Sequence, residues 1–280
     1  MRWGRGRSSN IEDRRGMGLG KLAGGGLGTI VIALIAMYFG VDPSLILNQP
    51  QTQNSTEQIQ AQFSPEEEQL KEFMSVVLAD TEDVWGDLFS SAGNTYEQPK
   101  LVLFSGAVRS ACGAAQSAMG PFYCSADRKI YLDMSFFNEL SKRLGAPGDF
   151  AQAYVLAHEV GHHVQNVMGI ADQVRGAQQN ARSEQGNPLQ VKMELQADCF
   201  AGVWAYHANK KRQILEPGDT EEALAAASGV GDDRLQQKTR GYVVPESFTH
   251  GSSAQRMRWF TTGMQSGDPA QCDTFNAGNI

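Results

Sequence analysis

Three of the five histidines in this chain fall within six residues, in Ala157–Val164 (AHEVGHHV). His158 and His162 are four apart. On a helix they project from one face, one turn from each other, which lets two imidazoles reach one tetrahedral zinc ion. Glu159 stands beside the first, where its carboxylate can hold a metal-bound water without ligating and take its proton. Val155, Leu156, Val160 and Val164 flank the pair and would bury this helix in a core, unlike a surface helix that carries the pattern by chance.

A third ligand is supplied by Glu194-Leu195-Gln196-Ala197-Asp198. Glu194 and Asp198 are four apart on a helix expected over Gln190–His207. Both sit among Met193, Leu195, Ala197, Cys199, Phe200 and Ala201, and buried carboxylates require a cation or donors. Glu194 is therefore expected to join His158 and His162 on the metal. Asp198, one turn further on, is expected to accept the free ring N–H of a ligand histidine. His207 and His250 stand as rival ligands. An arrangement with three histidines would need the third at position 168, which is Met168.

Charge developing on a scissile carbonyl calls for a second electrophile besides the metal. By elimination this is His250, in the Gly/Ser-containing segment THGSSAQR, with Tyr242 and Arg256 as weaker options. His163, on another helix face, reads as structural or as lining the rim.

The elements that must position these groups are partly legible. Pro65 and Glu66–Glu68 suit a helix N-terminus, and Leu70, Phe73, Met74, Val77 and Leu78 recur at helical spacing towards Leu88. Lys100–Phe104 (KLVLF) and Lys129–Asp133 (KIYLD) read as strands. From Met134 onward the pattern is mostly helical, including Ala254–Phe260. Gly229–Thr249 shows no clean period and reads as structureless, and Val174–Pro188 as a long Gln/Gly segment between helices. The fold class is α+β, mostly helical with a small sheet.

The N-terminus suggests a compartment. Leu22–Val41 is a run of 20 residues without a charge, long enough to cross a bilayer. Six cations (Arg2, Arg5, Arg7, Arg14, Arg15 and Lys21) precede it, which by the positive-inside rule keeps that end cytoplasmic and exports the rest. A cleaved signal peptide is the competing reading, but AMYFGVDPS offers no good cleavage site. The expected organisation is a basic cytoplasmic segment 1–21, a transmembrane anchor 22–41, a polar linker 42–64 rich in Gln, Asn, Ser and Thr, and a catalytic domain 65–280.

All four cysteines follow the anchor. An even number in an oxidising compartment suggests two disulfides. The short segment between Cys112 and Cys124 makes that pairing the simplest, leaving Cys199 with Cys272. A four-cysteine zinc site is the rival, without C-x-x-C spacing to support it.

The 280 residues are 41% hydrophobic and 20% charged, too apolar for a disordered chain. A mean hydropathy of −0.35 excludes a polytopic membrane protein. Overall charge is −7, and residues 42–280 alone carry −11, so nucleic acid is not an expected partner. Proteins or peptides are.

HEVGHHV followed by ELQADCFAG, with GPFYCSADRKIYLD upstream and VGDDRLQ, VVPESFTHGSSAQRMRWF and CDTF downstream, resembles the bacterial neutral zinc metallopeptidase family of single-span membrane proteins. The likeness covers roughly residues 95–276. The paired motifs also resemble the wider gluzincin (thermolysin-like) group. The resemblance implies a zincin-like domain with one zinc on His158, His162 and Glu194, Glu159 as general base and Asp198 behind the ligands. It also implies a single-pass protein of the bacterial inner membrane, its N-terminus cytoplasmic and its catalytic domain outside the cytoplasm, cleaving peptide bonds as an endopeptidase. Two other classes compete: a metal-bearing scaffold for envelope proteins, and a zinc hydrolase of non-protein amide bonds. An intact Glu159 argues against a scaffold.

Overall fold

A computed structural model describes residues 1–4, 6–16, 63–180, 183–278 and 280. Its first long element, α1 (Pro65–Ser91), begins as its sequence dictates. Ser64 and Glu67 form a reciprocal capping box, and Pro65 opens the first turn.

The main sheet has four strands: β1 (Ile11–Asp13), β2 (Lys100–Phe104), β5 (Phe122–Cys124) and β6 (Lys129–Asp133), in the spatial order β1-β2-β6-β5. The first three in that order run parallel, and β5 closes one edge antiparallel to β6. Between β2 and β5 a separate hairpin forms from β3 (Ala107–Ser110) and β4 (Gly113–Gln116). Leu101–Phe104 and Ile130–Leu132 show no polar alternation because both faces of these strands are covered. Leu101, Leu103, Ile130 and Leu132 face the helical core, while Val102, Phe104 and Tyr131 pack with Val108 and Ala115 of the hairpin.

The helices after β6 are α2 (Phe136–Lys142), α3 (Asp149–Val167), α4 (Ile170–Asn180), α5 (Ser183–Arg212), α6 (Asp219–Gly229), α7 (Asp232–Arg240) and α8 (Ser253–Ser266). The central one is α5, whose Leu195, Ala197, Phe200, Ala201, Val203, Trp204 and Ala205 are fully enclosed. It packs against α3 on one side and α8 on the other. Both crossings rely on missing side chains. A Cβ on Gly161 of α3 would lie 2.8 Å from the carbonyl of Ala197, and one on Gly263 of α8 would overlap the carbonyl of Cys199. Disulfides join Cys112 to Cys124 and Cys199 to Cys272.

Two expectations are corrected. Gly229–Thr249 contains α7, whose acidic first turn (Asp232, Asp233) and basic last turn (Lys238, Arg240) suit the helix dipole although its apolar period is poor. Much of Val174–Pro188 is helical, as the end of α4 and the start of α5.

The first residues also contribute to the sheet. The sequence sets 1–21 apart on the far side of a membrane, yet residues 1–16 pack on the domain. Ile11–Asp13 pair with Leu101–Leu103, the Met1 side chain enters the core, and Trp3 packs edge-on against Phe73. Ion pairs run both ways between arm and domain: Arg15 is buried between Asp13 and Glu68, and Lys129 of the domain reaches Glu12 of the arm. The Arg15 guanidinium also lies 3.9 Å from the centre of the Phe63 ring, so the chain leaves and rejoins the domain at one place. Leu22–Val41 itself lies outside the described residues; among those described, no helix is long and apolar enough to cross a membrane.

Exposed Ser9 and Ser91 offer a check. Single cysteines at the two positions (Ser9→Cys and Ser91→Cys) should label alike with a membrane-impermeant maleimide on intact cells producing the full chain. Labelling of one position before lysis and the other only after it would show that the arm does not stay docked.

Candidate metal centre

The site forms where α3, α5 and the segment before α8 converge. His158 and His162 come from successive turns of α3, their ring centroids 4.7 Å apart and nearly perpendicular. The absence of a side chain at Gly161, one residue before His162, lets α5 come close enough to present Glu194. Glu194 Oε2 lies 3.2 Å from His158 Nε2 and 3.5 Å from His162 Nε2.

Those separations provide a fit test for zinc. Donors at about 2.0–2.2 Å from a tetrahedral ion lie roughly 3.3–3.5 Å from one another. Two imidazoles and one carboxylate also match the donor chemistry of an open zinc site. Each ring has its other nitrogen engaged, His158 Nδ1 with Asp198 Oδ1 at 2.8 Å and His162 Nδ1 with Gln165 Oε1 at 2.9 Å, leaving both Nε2 atoms for the ion. Gln190 donates to the remaining Glu194 oxygen at 2.9 Å.

Asp198 has no solvent contact and is compensated from two helices. Arg256 of α8 donates to both oxygens through Nε and Nη2, each at 2.8 Å, and Tyr154 of α3 donates its hydroxyl. Burial raises the Asp198 pKa, but Arg256 and then His158 outweigh it and hold the carboxyl at about 2. In the metal-free protein burial lowers His158 while Asp198 and Glu194 raise it to about 9. Glu194 is held well below the carboxylate range because the two imidazoles outweigh its own burial.

Glu159 lines the same cleft and is 7% exposed. Burial raises its pKa, against the pull of His158 and His162, which suits a group that must both accept and return a proton.

His250 also lines the cleft, outside the three-donor cluster. Its Nδ1 contacts Asp232 Oδ1 at 3.2 Å and Thr249 Oγ1 at 3.0 Å. The backbone N–H groups of Thr249, His250 and Gly251 all donate to the other Asp232 oxygen, so the first turn of α7 shapes the loop that presents the imidazole. The hydrogen bond to Asp232 raises the His250 pKa against its burial.

The other candidates lie elsewhere. His207 bonds the carbonyl of Gly267 at 2.7 Å, away from the cluster. His163 bonds the Glu97 carbonyl at 2.6 Å through Nε2 and contacts the Tyr123 hydroxyl through Nδ1, so it is a structural residue behind the cleft wall. Tyr242 is 60% exposed and lines no part of the cleft. Arg256 is engaged by Asp198, which gives it a different task from the electrophile considered for it. Sequence reasoning missed Tyr154, Gln165, Gln190 and Asp232. Tyr154 and Gln190 were detectable by spacing, each four residues before a ligand, whereas Asp232 becomes meaningful only once α7 is recognised.

The cleft encloses about 730 Å³ and extends from the metal ligands along Gly120–Tyr123, beside Val155, Val174 and Met193. Its wall includes β5, the antiparallel edge of the main sheet.

No solved structure matches this chain. The uncharacterized protein YpfJ of Escherichia coli strain K12 is 53% identical over 287 residues, covering 98% of this chain and 99% of that relative. The uncharacterized protein Rv2575 of Mycobacterium tuberculosis strain H37Rv is 43% identical over 263 residues, covering 88% of this chain and 86% of its own length. A family model described as "Putative neutral zinc metallopeptidase" matches residues 1–275. With nearly its whole length matched, and with two histidines and a glutamate gathered at zinc-ligand separations, the chain belongs to the neutral zinc metallopeptidase family.

Proposed function

We propose that this protein is an extracytoplasmic zinc-dependent endopeptidase in which His158, His162 and Glu194 hold one zinc ion and Glu159 is the general base. The observation that carries the reading is the convergence of three ligand atoms at zinc spacing with a buried glutamate in the same cleft. Two disulfides support an oxidising compartment. The apolar run Leu22–Val41 supports work at a membrane surface, with residues 1–16 on the same side as the domain.

An extended peptide fits the cleft because β5 has one edge unpaired in the sheet, and edge strands accept a further strand through backbone hydrogen bonds. Bound zinc supplies a Lewis acid that lowers the pKa of a water towards about 7 and polarises the scissile carbonyl. Glu159 takes the proton of the attacking water and carries it to the leaving amine nitrogen. Its burial and raised pKa favour that return step. Asp198 and Gln165 keep both ligand imidazoles in the tautomer that offers Nε2, and Gln190 steadies Glu194. His250, oriented by Asp232 through Nδ1, donates from its other nitrogen to the carbonyl oxygen as negative charge gathers there.

Metal analysis of the full chain after dialysis should find one zinc per chain and its loss in His158→Ala and His162→Ala. Glu159→Gln should keep the zinc and lower hydrolysis of a mixed peptide library by about 10²–10⁴-fold. Near-normal turnover by that variant would end the assignment of Glu159 and, with it, the mechanism.

His250→Ala should keep zinc and lower kcat by roughly 10²-fold or more, with KM nearly unchanged. Because Asp232 raises the His250 pKa, Asp232→Asn should lower it and move the alkaline limb of kcat/KM to lower pH. Loss of zinc in His250→Ala would make His250 a ligand, and an unmoved alkaline limb in Asp232→Asn would separate His250 protonation from turnover.

A further inference from the structure

The two ligand histidines are supported differently. His158 leans on the charged Asp198, whereas His162 leans on an amide that does not stop at its neighbour. Gln165 is fully buried and Gln196 is 5% exposed. The Gln165 amide nitrogen donates to the Met193 carbonyl at 2.7 Å and to Gln196 Oε1 at 3.0 Å. The Gln196 nitrogen donates to the carbonyl of Cys272 at 2.9 Å.

The direction of this chain is forced. A backbone carbonyl only accepts, so Cys272 obliges Gln196 to point its nitrogen at the tail and its oxygen at Gln165. Met193 imposes the same choice on Gln165, whose nitrogen spends both hydrogens on Met193 and Gln196. What remains for His162 is the Gln165 oxygen, an acceptor only. His162 Nδ1 must therefore carry the hydrogen, and Nε2 must present a lone pair. The far end is pinned as well. Cys272 is disulfide-bonded to Cys199, the residue after Asp198, and Thr274 Oγ1 bonds the Lys192 carbonyl at 2.7 Å.

We propose that the C-terminal segment around Cys272 is part of the metal site, with Gln196 and Gln165 as positioning residues that set the tautomer and aim of His162. This rests on the zinc reading above. One disulfide then lies at the root of both imidazole supports: it adjoins Asp198, which holds His158, and anchors the carbonyl that polarises the relay to His162. Neither glutamine approaches substrate.

Zinc affinity of the full chain, measured by chelator competition, tests the relay together with two spectra. These are the imidazole ¹⁵N shifts of His162 in metal-free protein, at a pH alkaline enough for the ring to be neutral, and the visible spectrum of the cobalt-substituted form. The natural chain should show a single Nδ1–H tautomer at His162. Gln165→Leu should mix the tautomers, alter the cobalt bands and weaken zinc by about 10–100-fold. Gln165→Glu keeps an acceptor facing His162 but turns its other oxygen on the Met193 carbonyl and Gln196 Oε1, so it should restore the Nδ1–H tautomer and recover only part of the affinity. Gln196→Leu, which leaves the Gln165–His162 contact in place, should weaken zinc less, about threefold to tenfold, as should opening Cys199–Cys272. If Gln165→Leu fails to fold, Gln196→Leu decides with the same measurements. Unchanged tautomer and affinity in the folded glutamine variants, with stoichiometric zinc in the natural chain, would overturn the relay alone. Absence of zinc from the natural chain would overturn the zinc reading too.

Discussion

A carboxylate removed from solvent has to be neutralised inside the protein, and Asp198 of α5 is neutralised from α3 and α8 together. Arg256 grips both oxygens, Tyr154 donates to one, and His158 donates through Nδ1. Removing one partner of such a buried pair typically costs about 3–5 kcal/mol, because the remaining charge is left without compensation. The ion pair therefore does more than orient an imidazole. It commits α8 to lie across α5, and the glycine contact at Gly263 lets the backbones come near enough for Arg256 to reach.

With α5 placed, the rest of the site follows from helix periodicity. Glu194 is one turn before Asp198 and Gln190 one turn before that, so a single face of α5 offers a support for His158, a metal ligand and a partner for that ligand. The opposing face of α3 answers with Tyr154, His158 and His162 at the same spacing. The two imidazoles receive unequal help. A charged acceptor makes His158 the more basic ring, and a neutral amide leaves His162 less so, while both are held in the tautomer that a metal requires.

The opposite edge of the sheet has its own logic. Residues 42–280 carry −11, and the first sixteen residues bring cations onto that surface as well as a strand. Arg15 and Phe63 sit together where the chain departs and returns. The cleft lies at the other edge, along β5, so the arm covers one exposed edge and leaves the other open to a substrate strand.

Local patterns in the chain determined its local chemistry. The i, i+4 pairs His158/His162 and Glu194/Asp198, the capped start at Ser64–Glu67, the two central strands and the pairing of four cysteines were all readable, because each depends on residues close in sequence or on simple elimination. What the tertiary structure decided depends on separations no period encodes. Arg256 reads as a free cation until Asp198, 58 residues earlier, claims it. Asp232 reads as a turn acid until the His250 loop folds round it, and Gln165 and Gln196 read as ordinary polar residues until Cys272 is brought beside them. The strand Ile11–Asp13 was not legible for the same reason. A three-residue strand is too short to announce itself, and its pairing with β2 comes from a sheet edge assembled 90 residues away.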